Sequence, residues 1–177
     1  MTLATLRETI AALALSVAIG GCTTSASTAA APVGEMVFVI VRHAEKAAND
    51  PKDPTLSEAG SARALRVAER LSKAQVSSVY ATGYRRAQQT AAPTALAHRL
   101  EVRTYDASMP ATVFATQLRT AHASGTVLVV GHSNTVPAIA AALCGCDVAP
   151  MREDEYDRWI RVHTDRNGTI TLEEERY

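Results

Sequence analysis

The chain has 177 residues, 47% of them hydrophobic, with 18 Lys and Arg balanced by 18 Asp and Glu. That length suits about one domain, and the even charge leaves no basic face to draw in nucleic acid through phosphate contacts. Two Phe, one Trp and five Tyr are also too few to build stacking platforms for bases, so no nucleic-acid partner is expected.

In chain order, Arg7 precedes the apolar run Ile10–Gly21, which Cys22 closes. Its twelve residues fall short of the roughly 20 that span a bilayer and suit a signal-peptide core. Ile19-Gly20-Gly21-Cys22 resembles the bacterial lipobox, although Ile stands where Leu is commoner and Glu8 offsets Arg7. Residues 1–22 are therefore expected to be a lipoprotein-type signal peptide, with Cys22 lipidated; an ordinary N-terminal helix is the alternative. Thr23 after the cysteine resembles the outer-membrane pattern, so the expected location is periplasmic, tethered to that membrane. Small residues dominate 23–35, a flexible tether with nothing to pack. Residues 36–177 form the expected folded domain.

Val37–Val41 is a short apolar run rich in β-branched residues, which reads as a strand buried on both faces. It ends abruptly in Arg42, His43, Glu45 and Lys46. A two-proline loop leads to Thr55-Leu56-Ser57-Glu58, a capping-box pattern in which Thr55 bonds the Glu58 amide. The next helix carries Ala64, Leu65, Ala68 and Leu71 on one face. Further segments follow: a strand at Val76–Tyr80, a helix at Tyr84–Ala97 kinked at Pro93, a strand at Glu101–Tyr105 and a helix near Pro110–His122. Thr126–Gly131 repeats the layout of the first strand and leads into His132, Ser133 and Asn134. Ser133 or Asn134 is expected to cap the helix that follows, with Pro137 in its first turn and Gly145 near its end. Asp157–Thr164 and Thr169–Glu173 flank Asn167-Gly168, a hairpin turn signal.

Strand and helix alternate four times, so the fold class is α/β: a three-layer αβα sandwich with a mostly parallel sheet and a C-terminal β-hairpin at one edge. Ligands in such sheets bind past the carboxyl ends of the strands. There the sequence collects Arg42 and His43, then Arg85 and Arg86, then Asp106, then His132 and Ser133. Arginine forks match phosphate oxygens, and the helix starting near Asn134 turns a positive dipole end to the same anion. His98, His122 and His163 read as solvated surface residues. Cys144 and Cys146, one residue apart, would see an oxidising compartment after export; a strained disulfide and two free thiols both remain open.

Arg42-His43-Ala44-Glu45, Thr55–Gly60, Tyr84–Thr90 and Gly131-His132-Ser133 together resemble four motifs, in order, of the histidine phosphatase superfamily, the phosphoglycerate-mutase-like proteins. Asn49 falls where many members carry an asparagine, and the second arginine motif selects Arg86 over Arg85. The resemblance implies that His43 attacks phosphorus and forms a phosphohistidine, while Arg42, Arg86 and His132 hold the phosphoryl oxygens and Asn49 and Ser133 contact substrate. It implies no cofactor and no metal. The expected partners are a small phosphorylated substrate and, through the lipid anchor, the membrane. Ser133 stands where acid-phosphatase members place Asp, and mutase-like members use a Glu after the third strand, so Asp106 is the candidate proton donor. Two rival readings are a phosphate-binding module with little turnover and a metal hydrolase built on the two histidines. The second is disfavoured by the neighbouring arginines.

Overall fold

A computed structural model describes residues 34–177. The elements run β1 (Met36–Arg42), α1 (Glu58–Arg70), β2 (Val76–Thr82), α2 (Arg85–Ala97), β3 (Val102–Tyr105), α3 (Ala111–Ala121), β4 (Gly125–Gly131), α4 (Thr135–Cys144), β5 (Arg158–Thr164) and β6 (Ile170–Arg176). The expected signal peptide, lipobox and most of the tether lie outside these residues. Among the described residues, no helix is long and apolar enough to cross a membrane.

The strands form one sheet in the order β3-β2-β4-β1-β5-β6. The first four are parallel, whereas β5 and β6 pair antiparallel and extend the β1 side as the expected hairpin. Alternation along β1 explains the three layers. Phe38 and Ile40 pack with Phe114 and Leu118 of α3 and Ile139 and Leu143 of α4. Val39 and Val41 pack with Val67 of α1 and Ala87 and Ala91 of α2. Each such fully buried aliphatic side chain contributes about 1.5–3 kcal/mol. Small alanines at 87, 91 and 95 make the buried stripe of α2. Pro93 sits inside that helix.

The chain moves from β1 outward through β2 to β3, then returns to insert β4 between β2 and β1. This reversal sets the carboxyl ends of β1 and β4 side by side, at the topological switch point where open sheets bind ligands. The His43 amide donates to the Gly131 carbonyl at 2.9 Å, carrying the pairing one residue past the strands.

Two helix starts differ from expectation. Ser57, not Thr55, caps α1, its Oγ accepting the Gly60 amide at 3.1 Å. Thr55 instead bonds Asn49 through both its amide and its hydroxyl. Neither Ser133 nor Asn134 caps α4 through its side chain. The Thr135 hydroxyl takes the His132 amide at 2.9 Å, while the Thr135 and Val136 amides turn back on the His132 carbonyl. Gly145 ends α4 in the left-handed region (φ 67°), where glycine carries no Cβ penalty. Just beyond it, Cys144 and Cys146 are bridged. The three remaining histidines are half-buried rather than solvated: His98 bonds the Leu71 carbonyl and His122 the Tyr80 hydroxyl.

Candidate active site

Arg42, at the last position of β1, is only 1% exposed, an unusual place for a guanidinium. The loop between α4 and β5 makes this tolerable. One terminal nitrogen donates to the carbonyls of Arg152, Glu153 and Glu155 at 3.0, 2.7 and 3.1 Å. The other donates to the Glu153 carboxylate at 3.0 Å, and the fork lies 4.3 Å over the Tyr156 ring. Its Nε is buried and has no partner among the described residues. Arg86, in the first turn of α2, likewise keeps a buried Nε without a partner. It stacks 4.4 Å over Tyr84 and pairs with Asp53 at 3.7 Å. Both side chains line one cavity, and a pair of guanidinium groups with buried donors left unsatisfied among the described residues suits an anion there.

His43 lies beside Arg42 and is 3% exposed. Its Nδ1 sits 2.8 Å from the Ala44 carbonyl. A carbonyl only accepts, so Nδ1 carries the proton and Nε2 keeps its lone pair. Burial foremost, opposed by that carbonyl and reinforced by Arg42, His132 and Arg86, pushes the His43 pKa down to about 3. Its ring meets that of His132 edge-on at 5.2 Å. His132 Nε2 bonds the buried Thr82 hydroxyl at 2.9 Å. Burial and then the two arginines push the His132 pKa down to about 4, against the opposing charge of Glu153. Both imidazoles are therefore neutral at ordinary pH.

These groups share a cavity of about 310 Å³ lined also by Lys46, Tyr84, Ser133, Asn134, Thr135 and Glu153. Buried Arg42 and His43 form its floor, and exposed Lys46, Tyr84, Asn134 and Glu153 its rim. The structure thus brings together Arg42, His43, Arg86, His132 and Ser133. It does not bring Asn49 or Asp106 to the cavity. Asn49 is spent on Thr55. Asp106 is exposed and lines a neighbouring cavity, its Oδ1 accepting the Ser108 amide and hydroxyl, which hold its carboxyl below the usual range. Arg85 is exposed and lies outside the lining, while its amide donates to Asp53. Lys46 stands at the strand end that the sequence marks out, whereas Tyr84, Thr135 and Glu153 are not among the site residues that the sequence singles out.

The motifs acquire physical reasons here. Thr90, the threonine closing the second arginine motif, accepts the Ala44 amide at 2.9 Å and donates to the Arg86 carbonyl at 2.7 Å. It therefore ties the His43 loop to the helix of Arg86. Gly60 packs so closely on that loop that a Cβ would lie 2.2 Å from the Glu45 carbonyl oxygen. Glu45 itself takes a bidentate grip from Arg63, with Nη2 at 2.6 Å. Among the described residues, no cluster of three or more His, Cys, Asp or Glu offers a metal seat.

The family model of the histidine phosphatase superfamily (branch 1) matches residues 38–109, which hold β1 from Phe38 onward, Gly60 and the Arg86–Thr90 segment. Over residues 38–109 the chain is similar to the histidine phosphatase superfamily. A search of curated proteins gives no match. Solved structures of the same fold include the protein histidine phosphatase SixA complexed with tungstate, at 22% identity and a TM-score of 0.67 over 80% of this chain and 97% of that one. A mycobacterial glucosyl-3-phosphoglycerate phosphatase gives 17% identity and a TM-score of 0.62 over 81% and 98%. YhfR of Bacillus stearothermophilus gives 16% and 0.62 over 79% and 96%. In this chain, His43 and His132 follow β1 and β4, the two strands that the chain reversal makes neighbours.

Proposed function

We propose that the protein is a phosphatase that hydrolyses a phosphoester or phosphoanhydride, without a metal, through a phosphohistidine on His43. One observation carries the reading: a buried, neutral imidazole with a free Nε2 shares a cavity with Arg42 and Arg86, whose buried Nε atoms have no partner among the described residues. A neutral imidazole is the nucleophilic form. Arg42 and Arg86 hold the phosphoryl oxygens and offset the charge that builds in the transition state. His132, fixed by Thr82, adds a contact from the neighbouring strand. The reaction then divides into capture of the phosphoryl group by His43 and its release to water. Three cations around the site, Arg42, Arg86 and Lys46, would repel a divalent ion, which supports chemistry without one.

The protein is further proposed to be exported and tethered through Cys22. The sequence of residues 1–22 supports this, and so does the Cys144–Cys146 bridge, because disulfides persist in oxidising compartments.

The test is an acid-free quench of the full chain during turnover of a labelled substrate. Label on His43, labile to acid and stable to base, together with indifference to EDTA, is the expected result. Activity lost in EDTA without a histidine adduct would overturn it in favour of a metal hydrolase. Tight phosphate binding with neither adduct nor turnover would leave a binding module.

A further inference from the structure

Resting on the phosphatase reading, we infer that Glu153, on the loop between α4 and β5, is the proton donor to the leaving group and later the base for water. Phosphoryl transfer runs roughly in line, with leaving group and nucleophile on opposite sides of phosphorus. His43 is on the cavity floor, so the leaving group departs toward the rim. The exposed rim residues are Lys46, Tyr84, Asn134 and Glu153, and among the described residues Glu153 is the sole carboxyl lining the cavity. It is held rather than loose. One carboxylate oxygen bonds the Ser133 hydroxyl and the other Arg42 Nη2 at 3.0 Å. Its own main-chain carbonyl also accepts from Arg42. The residue is therefore fixed to the same guanidinium that a phosphoryl group would engage.

The charges facing Glu153 set when it can carry a proton. In the empty cavity the Ser133 hydroxyl, then Arg42 and Lys46, keep its carboxyl below the usual range. His132 faces it from β4, and Asp154 follows it on its own loop. A phosphoryl group seated on Arg42 competes for that cation and brings like charge beside the carboxylate, and both effects raise its proton affinity. A monoester arriving as its monoanion supplies the proton. That proton passes to Glu153, the His43 Nε2 lone pair forms the P–N bond, and the P–O bond to the leaving group breaks. The departing oxygen takes the Glu153 proton and leaves as an alcohol. In the second half, water attacks phosphorus, Glu153 takes its proton, and the P–N bond returns its electron pair to Nε2.

Glu153→Gln is the discriminating variant, because the amide oxygen can still accept from Arg42 or Ser133 while the titrating proton is gone. We measure kcat/KM of the full chain on alkyl phosphates and on dinitrophenyl phosphate, whose leaving group needs no proton. Alkyl turnover should fall about 10²–10⁴-fold, against less than about tenfold for the aryl ester. The high-pH limb of the alkyl profile should vanish, and Glu153→Asp should restore part of the alkyl rate. Equal losses on both substrates would overturn the inference, since Glu153 would then act only by holding Arg42. No loss on either, or wild-type turnover confined to aryl esters, would overturn it too. A wild type that hydrolyses neither and forms no histidine adduct would remove the phosphatase reading along with it.

Discussion

The Ala44 amide donates to Thr90 Oγ1 at 2.9 Å, and both residues are fully buried. The bond joins the residue after the nucleophile candidate to the helix that carries Arg86, across 46 positions of sequence. Thr90→Val keeps the shape and removes the acceptor, leaving a buried amide unpaired at a cost of about 1–3 kcal/mol. Because the same hydroxyl donates to the Arg86 carbonyl, the geometry between His43 and Arg86 should loosen as well. A misplacement near 1 Å can cost about 100-fold in rate. A lower denaturation midpoint together with reduced kcat is expected; wild-type values of both would show that the bond holds nothing in place.

Gly60→Ala sets two effects against each other. Inside a helix the change normally stabilises by roughly 0.5–1 kcal/mol. Here the new Cβ would meet the Glu45 carbonyl oxygen at 2.2 Å and its amide nitrogen at 3.0 Å, both backbone atoms with little freedom to retreat. Overpacking of this kind costs about 1–3 kcal/mol, so the steric term should win and the variant should be destabilised. The displaced segment lies two residues from His43, so activity should fall with stability. A variant more stable than wild type in urea would contradict the close approach.

The strand ends were legible because apolar β-branched runs reveal buried parallel strands, and such strands bring their carboxyl ends to one rim. That placed Arg42, His43 and His132 together from sequence. The same rule put Asp106 on the rim, and there the local turn decides otherwise. Ala107, the next residue, lines the cavity, whereas the Asp106 carboxylate accepts from the Ser108 amide and hydroxyl and lines the neighbouring cavity. Glu153 was hidden for the opposite reason. Its loop has no periodic pattern, and it reaches the cavity because three of the loop's carbonyls grip Arg42, a contact that no spacing rule shows. The capping box on Thr55 was misread by two residues, since Ser57 offers the same chemistry nearer the Gly60 contact.

The two adjacent arginines at the start of α2 should separate cleanly. Arg86 lines the cavity, whereas Arg85 is exposed and outside it. Losing one charged or oxyanion-type contact costs about 2.7–4 kcal/mol in transition-state stabilisation, or about 10²–10³ in rate. Arg86→Ala should lose that much in kcat/KM, and Arg85→Ala should stay within a few-fold of wild type. Comparable losses in both variants would mean that the second arginine motif does not single out Arg86.

Protonation offers a test that needs no substrate. In the native chain the pKa of His43 is pushed from 6.5 down to about 3 and that of His132 from 6.5 down to about 4, with burial the chief cause of both. As pH falls below 6.5 the unfolded chain takes up protons on these residues while the folded chain does not. More protons on the unfolded state means that stability falls as pH falls, by up to about 1.4 kcal/mol per pH unit for each histidine. The loss begins near pH 6.5 and runs down toward the native values. The carboxylates held below their usual range start from 4.5 or lower, so between pH 6.5 and about 5 the histidines dominate. His122, lowered by burial and by Arg103, adds to the wild-type slope without touching the cavity. Urea denaturation of wild type and His43→Asn across that window isolates the His43 share: the variant's stability should depend on pH less steeply by nearly one proton. Identical slopes would mean that His43 is not held neutral, and a nucleophile protonated near pH 6.5 would also show an acid limb in kcat/KM that the buried imidazole should lack.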